Sequence, residues 1–303
     1  MTEQHVVVTG GIGFVARAVV RGLVDCGHRV TVVDRDPRDV ELGERVSLVT
    51  GDLRDGAVRD QVVVEGVTGV IHLAAYTSVL GSMGDPLNTF NENVVVTAEL
   101  LDLCRARGVP RFVLSSTNAV VGEMGGRTIT EESTLHPLTA YGATKAACEM
   151  LLSGYASSYG MRTCALRFTN IYGPGMEFKD SFIARIMKAA LAGTTLQIYG
   201  DGLQRRDLVH VDDVAASVVR AWQDDWTGTV VIGSGESVTV LEMLERARKA
   251  TGLPLPAEHV PAREGEMPAV VVDISHARSL GYEPSVDLDT GLASAWADAQ
   301  TWP

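Results

Sequence analysis

Residues of strand character, His5-Val6-Val7-Val8-Thr9, run straight into Gly10-Gly11-Ile12-Gly13, and a helical pattern starts at Phe14. Few folds accommodate a strand, a glycine loop and a helix in so short a span. The pattern then repeats. Apolar runs at Arg29–Val33, Val46–Thr50, Val67–Leu73, Arg111–Ser115 and Arg162–Arg167 alternate with helical stretches near Phe14–Cys26, Asn88–Arg107 and Ala140–Tyr159. Strands of about five residues alternating with helices predict a parallel sheet covered on both faces. The expected fold class is therefore α/β, a Rossmann-type doubly wound parallel sheet. Beyond Gly175 the strand signals shorten, and prolines cluster between Pro254 and Pro284, which predicts a smaller C-terminal lobe.

A glycine loop between strand and helix suits a pyrophosphate. Glycine lets the backbone approach closely, and the helix N-terminus offers N–H groups and partial positive charge. Gly10, Gly13, Phe14 and Val15 are placed around it, with Ala16 as the small residue packed against the sheet. The second strand ends at Asp34, 24 residues after Gly10. An acid there accepts hydrogen bonds from ribose hydroxyls and repels a 2′-phosphate, which favours NAD over NADP. Arg35 pulls the other way, since an arginine beside that acid can accommodate the phosphate. Asp52 and Leu53 end the third strand. Asp52 is open to two readings, a contact to the adenine amino group or a helix N-cap. Leu73, Ala74 and Ala75 follow the fourth strand and let a dinucleotide lie across the strand tips.

Tyr141 and Lys145 stand four apart in a helical stretch and so share a face. A phenol with its free pKa of about 10 is a poor base near neutral pH, and a nearby ammonium favours the phenolate. Ser115-Ser116-Thr117 ends a strand 24 residues before the tyrosine. A hydroxyl at that point can hydrogen-bond a reacting oxygen.

The formal net charge of −12 makes nucleic acid and anionic membrane surfaces poor partners. No apolar run reaches the ~20 residues of a membrane span, and the N-terminus lacks the basic region of a signal peptide. Cys26, Cys104, Cys148 and Cys164 form no CxxC pair. They read as packing residues of a cytoplasmic protein, with no disulfide framework and no metal site.

These motifs, in this order, resemble the extended short-chain dehydrogenase/reductase family, in particular its nucleotide-sugar epimerases and dehydratases, and among those the NAD-dependent sugar-nucleotide 4-epimerases. The resemblance covers nearly the whole chain. Besides the features above it rests on Asn93, on Leu166 through Pro174 (LRFTNIYGP), on Gly200-Asp201-Gly202, on Arg206 through Asp213, on Arg263-Glu264-Gly265-Glu266 and on Leu280-Gly281-Tyr282. It implies that residues 1–174 form the NAD-binding domain with the catalytic helix. Residues 175–303 would be mainly a substrate lobe, with segments returning to the first domain. It implies Thr117, Tyr141 and Lys145 as the catalytic set, and Ser115 and Asn93 in the cofactor's neighbourhood. Asn170, Arg206 and Arg263 match the positions that bind the nucleotide diphosphate, and guanidinium groups suit phosphate oxygens in so acidic a protein. The helices near Ala98–Arg107 and Ala146–Tyr159 would form a homodimer interface.

The residues after Thr117 separate the family's reactions. Sugar 4,6-dehydratases carry an Asp-Glu pair there, and the related uronate decarboxylases keep a glutamate at the second position. Here Asn118-Ala119 stands instead. Without these carboxylates the residues suffice for hydride removal and return at C4 through a 4-keto sugar, with a UDP-sugar favoured. An NAD(P)H-dependent 4-ketoreductase would use the same residues, and a non-catalytic NAD(H)-binding regulator is the reading from another class. Val121 replaces the family's usual tyrosine. Val270 stands where a large tyrosine excludes N-acetyl groups in galactose 4-epimerases, which predicts room for an N-acetylhexosamine.

Overall fold

The computed structural model describes residues 2–36, 43–262 and 269–303. The chain forms two compact units: Met1–Gly122 with Thr134–Arg167 and Ala215–Val230, and Glu123–Ser133 with Phe168–Val214 and Val231–Pro303.

The first half of the chain runs β1 (His5–Thr9), α1 (Phe14–Asp25), β2 (Arg29–Asp34), β3 (Val46–Thr50), α2 (Gly56–Val62) and β4 (Gly69–His72). Then come α3 (Val79–Gly84), α4 (Pro86–Phe90), a π-helical turn (Asn91–Val95), α5 (Val96–Ala106) and β5 (Arg111–Thr117). A 3₁₀ turn (Asn118–Val120), α6 (Ala140–Tyr159) and β6 (Arg162–Phe168) complete this part. The later elements are β7 (Asn170–Tyr172), α7 (Phe182–Ala192), β8 (Leu196–Tyr199), β9 (Arg205–His210), α8 (Val211–Gln223) and β10 (Gly228–Ile232). They end with β11 (Ser237–Thr239), α9 (Val240–Thr251), β12 (Ala257–Val260), α10 (Ser275–Ser279) and α11 (Leu288–Ala299).

A seven-stranded sheet has the order β10-β6-β5-β4-β1-β2-β3, and β1 pairs in parallel with both β2 and β4. The chain thus winds one way from β1 to β3 and the other way from β4 onward. This reversal leaves a crevice beyond the carboxyl ends of β1 and β4, where ligands bind in such sheets. Both strands are buried on both faces, which is why they read as unbroken apolar runs. Leu100, Leu101 and Phe112 are fully buried, each contributing about 1.5–3 kcal/mol of burial energy.

The expected long helix near Asn88–Arg107 is broken into α4, the π-helical turn and α5. The periodicity persists through such a turn, so the pattern does not reveal it. β5 ends at Thr117, the strand end expected at Ser115-Ser116-Thr117, two residues past the run Arg111–Ser115.

The second unit has a three-stranded sheet, β11-β9-β7, and a parallel β8–β12 pair. Helices α7, α9 and α11 pack on one another. Their inward faces carry Ile183, Met187, Met243, Leu244 and Leu292.

Candidate active site

At the β1–β4 switch point Gly10 adopts a left-handed φ of 63°. A Cβ on it would lie 2.9 Å from the backbone of Ala74, so only glycine fits there. The Gly10 N–H donates to the Val33 carbonyl at 2.8 Å, and the Gly13 N–H donates to the Gly10 carbonyl at 2.9 Å. Helix α1 starts with no side-chain cap and no acid in its first turn, a terminus suited to an anion. The Asp34 carboxylate lies over the loop, accepting the Ile12 N–H at 3.1 Å and the Asp36 N–H at 3.3 Å. This cradle fits the pyrophosphate and ribose of a dinucleotide.

Arg35 reaches Glu92 at 3.1 Å and Asp52 at 3.9 Å. Two acids thus compete for the guanidinium that a 2′-phosphate would need. The Asp52 carboxylate accepts the Arg54 N–H at 2.9 Å, and the Arg54 guanidinium holds it below the usual carboxylate range. The N-cap of α2 is Asp55, which accepts the Ala57 N–H at 2.9 Å, so the capping alternative for Asp52 is corrected. Leu53 is buried, and Ala74 faces Gly10 with its own N–H donated to Thr9 Oγ1 at 3.1 Å.

Thr117 ends β5 and Tyr141 opens α6. The Thr117 Oγ1 accepts the Ala119 N–H at 3.2 Å, its hydroxyl reaches Asn118 Oδ1 at 3.5 Å, and it stands close enough to the Tyr141 phenol to favour the phenolate. The start of α6 is fixed twice. Thr139 caps it through the Gly142 N–H at 3.2 Å, and the Tyr141 N–H donates to buried Ser82 Oγ at 3.1 Å. A Cβ on Gly142 would lie 2.6 Å from the Ala119 carbonyl oxygen. This close approach brings the turn after Thr117 against the catalytic helix.

Lys145 is 2% exposed, and its Nζ donates to the Ser115 carbonyl at 2.9 Å. Ser115 Oγ donates to the His72 carbonyl at 3.2 Å. Burial lowers the Lys145 ammonium below the usual lysine range. Burial also pushes the Tyr141 phenol up to about 12, with the Thr117 hydrogen bond working against it. The expected lowering of the phenol by the Lys145 ammonium is not found in the protein by itself: desolvation dominates, and only Thr117 opposes it.

Asn93 is 1% exposed and sits in the π-helical turn, a feature frequent at functional sites. Its Oδ1 accepts the Tyr76 N–H at 2.8 Å, while its Nδ2 donates to the Tyr76 carbonyl at 3.1 Å and to Thr144 Oγ1 at 3.0 Å. Thr144 Oγ1 donates in turn to the Tyr141 carbonyl at 2.8 Å. The Asn93 amide thus ties the loop after β4 to the catalytic helix. Behind it His72 joins Thr9 (2.7 Å) to Thr97 (3.1 Å), and burial lowers its imidazole to about 3. Neither Thr144 nor Ser82 carried a motif, because their role depends on contacts distant along the chain.

In the second unit a cavity of about 200 Å³ is lined by Asn170, Phe182, Arg185, Tyr199, Gln204 and Arg206 among others. Asn170 Nδ2 donates to the Asp207 carbonyl at 3.0 Å. Arg185 Nε and Gln204 Oε1 are buried polar atoms without a hydrogen-bond partner, although Arg185 Nε lies in an ion pair with Asp180 at 3.7 Å. Such atoms are costly to bury unless a ligand or water meets them. Arg263 lies outside the described residues. Val270 is 1% exposed, and its N–H donates to the Arg205 carbonyl at 2.9 Å, which makes it part of the lobe's interior and no wall of this cavity. Val121 is likewise buried.

The sequence model of the NAD dependent epimerase/dehydratase family matches residues 6–233. A UDP-glucose 4-epimerase of Corynebacterium glutamicum is 33% identical, over 97% of this chain and 95% of that protein. Among solved structures, the Thermus thermophilus UDP-glucose 4-epimerase in complex with NAD superposes with a TM-score of 0.92 at 31% identity, covering 98% of this chain and 99% of that one. The UDP-N-acetylglucosamine 4-epimerase of Methanobrevibacter ruminantium, in complex with UDP-N-acetylmuramic acid, gives a TM-score of 0.93 at 28% identity, covering 99% of this chain and 100% of that one.

Proposed function

The chain belongs to the NAD dependent epimerase/dehydratase family, and from that premise we infer that it is an NAD-dependent UDP-sugar 4-epimerase working through a 4-keto sugar. The observation that carries this reading is the meeting of Thr117 and Tyr141 one helical turn from buried Lys145, with no carboxylate at Asn118-Ala119. Elimination of water would need a further acid and base there.

The dinucleotide is held by Gly10, Gly13, Phe14 and Val15 at the loop, Asp34 at the ribose, and Asp52, Leu53, Leu73, Ala74, Ala75 and Ser115 along the strand tips. When bound, NAD supplies the acceptor and donor of the C4 hydride, and its cationic ring adds positive charge that favours the phenolate. Tyr141 would take the proton of the C4 hydroxyl and later return it to the same oxygen, now on the opposite face of the sugar. Thr117 hydrogen-bonds the same oxygen and holds it within reach. Lys145 balances the phenolate's charge, and Asn93 keeps the helix start in register. Asn170 and Arg206, with Arg263, hold the UDP portion, and the buried Gln204 Oε1, which has no hydrogen-bond partner, supports that placement.

The named relatives act on UDP-glucose and on UDP-N-acetylglucosamine. We therefore take a UDP-hexose, N-acetylated or not, as the substrate class. The enzyme is a homodimer in this reading. Leu80, Met83, Leu87 and Met150 on α3, α4 and α6 are each half or more exposed, an apolar face that a second copy would cover. The four unpaired cysteines support a reducing compartment, the cytoplasm. Among the described residues no helix is long and apolar enough to cross a membrane.

The test needs no added cofactor. The purified protein is incubated with UDP-glucose, UDP-N-acetylglucosamine and UDP-glucuronate, and C4 configuration is followed by proton NMR. An isomer at unchanged mass is expected. Turnover appearing only with added NAD(P)H and a 4-keto sugar would make the protein a ketoreductase instead.

A further inference from the structure

Behind Lys145, away from the Tyr141 phenol, lies a cluster that the mechanism above does not use. Glu149 stands one helical turn beyond Lys145 on α6, so the two share a face. It is 3% exposed, as are Ser116 on β5 and Arg167 on β6. Arg167 grips the Glu149 carboxylate from two nitrogens, with Nη2 at 2.7 Å and Nε at 3.0 Å. Ser116 Oγ donates to Glu149 Oε1. Side chains alternate along a strand, so Ser116 points away from the side on which Ser115 and Thr117 act. The carboxylate is therefore pinned between the strand that ends at Thr117 and the neighbouring strand, at the back of the catalytic helix.

We propose that Glu149, clamped by Ser116 and Arg167, is a positioning residue for the epimerase reaction: its fixed negative charge keeps Lys145 an ammonium and so sets the upper pH limit of turnover. The inference rests on the epimerase reading above. Lys145, Glu149 and Arg167 together carry one net positive charge in a buried region, and a Tyr141 phenolate brings the sum to zero. Without Glu149, two buried cations would face each other with no anion, and the lysine, the only one that readily loses its proton, would give it up.

Among the described residues, the surroundings leave Glu149 as the anion that acts on Lys145. On its own helix Cys148 is a buried thiol pushed up and therefore neutral. On β4, His72 is neutral. Helices α3 and α4 and the 3₁₀ turn carry no titratable side chain. The π-helical turn brings only Glu92, which is engaged with Arg35. On α5, Glu99 pairs with Arg59, Asp102 pairs with Arg105, and Cys104 is pushed up to about 12. Arg111 on β5 pairs with Asp225. Burial pulls the Lys145 ammonium down; a Cys148 thiolate would oppose this most, then the Glu149 carboxylate, and because the Cys148 thiol is itself pushed up, the Glu149 charge is the one that remains.

The experiment compares the pH dependence of kcat for holoenzyme with bound NAD, wild type against Glu149→Gln, with the reaction on UDP-glucose as readout. The alkaline limb of the variant is expected about one pH unit or more lower, which is about a tenfold deficit on that limb and near-equal rates at neutral pH. Ser116→Ala keeps the charge and should leave the limb in place while lowering Tm. A limb that does not move in Glu149→Gln, or a uniform loss at every pH, overturns the proposal. If that variant fails to fold, Arg167→Gln frees the carboxylate's charge and should move the limb upward; an unmoved limb there overturns it equally. The chain has four lysines, Lys145, Lys179, Lys188 and Lys249, so NMR of labelled lysine follows Lys145 without turnover. An inactive wild type would then sink the functional reading, while the lysine titration still decides the role of Glu149.

Discussion

Tyr141 shows how one residue's chemistry is set by its surroundings. Its phenol is pushed up to about 12 by burial, so the protein alone disfavours the base form that catalysis requires. In the proposed reaction the bound cofactor's positive charge would supply the difference. Tyr141→Phe should lower kcat by roughly 10²–10⁴-fold, while NAD released on denaturation stays at the wild-type amount; a variant with full turnover would remove the tyrosine from the mechanism. His72 gives a separate prediction about stability. Its imidazole is lowered to about 3 from 6.5 in the folded protein. The neutral form is thus favoured by the fold, and the unfolded chain binds the proton first. The stability this contributes is complete above pH 6.5 and is lost as pH falls toward 3, at up to about 1.4 kcal/mol per pH unit. Urea unfolding between pH 7 and 4 should show a shallower slope for His72→Gln than for wild type. Both residues were visible in the sequence, Tyr141 through its spacing from Lys145 and His72 at a strand end. Their shifts were not, because desolvation belongs to the packed neighbourhood.

At the scale of elements, α6 carries the function through its N-terminus. Thr139 caps the helix, and Ser82 from α3 takes the Tyr141 N–H. Thr139→Ala should cost about 1 kcal/mol of stability, read as a lower urea midpoint. Gly142→Ala should do more harm to turnover than to folding. Its Cβ meets the Ala119 carbonyl oxygen at 2.6 Å, which pushes apart the elements bearing Thr117 and Tyr141. A Gly142→Ala enzyme with unchanged kcat would show that this spacing is not critical. The extent of α6 was legible, since its apolar spacing and the Gly160 stop are local signals. The π-helical turn at Asn91–Val95 was not, because one extra residue in a helix leaves no mark in composition.

At the scale of the molecule, the homodimer proposed above rests on an exposed apolar face on α3, α4 and α6. Sedimentation should give a dimer for the wild type and a monomer for Leu87→Asp with Met150→Lys, both substituted positions being solvent-exposed. A wild-type monomer at micromolar concentration would end that reading. The order of strands was legible in outline from alternating strand and helix signals, but the two-unit division was harder to read. Segments such as Ala215–Val230 fall in the first unit although they lie late in the sequence.

The sequence by itself determined what depends on neighbours along the chain: the glycine loop, the acid at Asp34, the turn-spaced Tyr141 and Lys145, and the absence of carboxylates after Thr117. The tertiary structure alone decided what depends on distant residues. It set Asn93 against Thr144, 51 positions away, turned Lys145 to the Ser115 carbonyl and locked Glu149 between Ser116 and Arg167. The physical reason is that spacing and backbone preference act over one or two turns of chain, whereas burial and electrostatic interaction act through space, and only the folded arrangement fixes which charges share the dry interior.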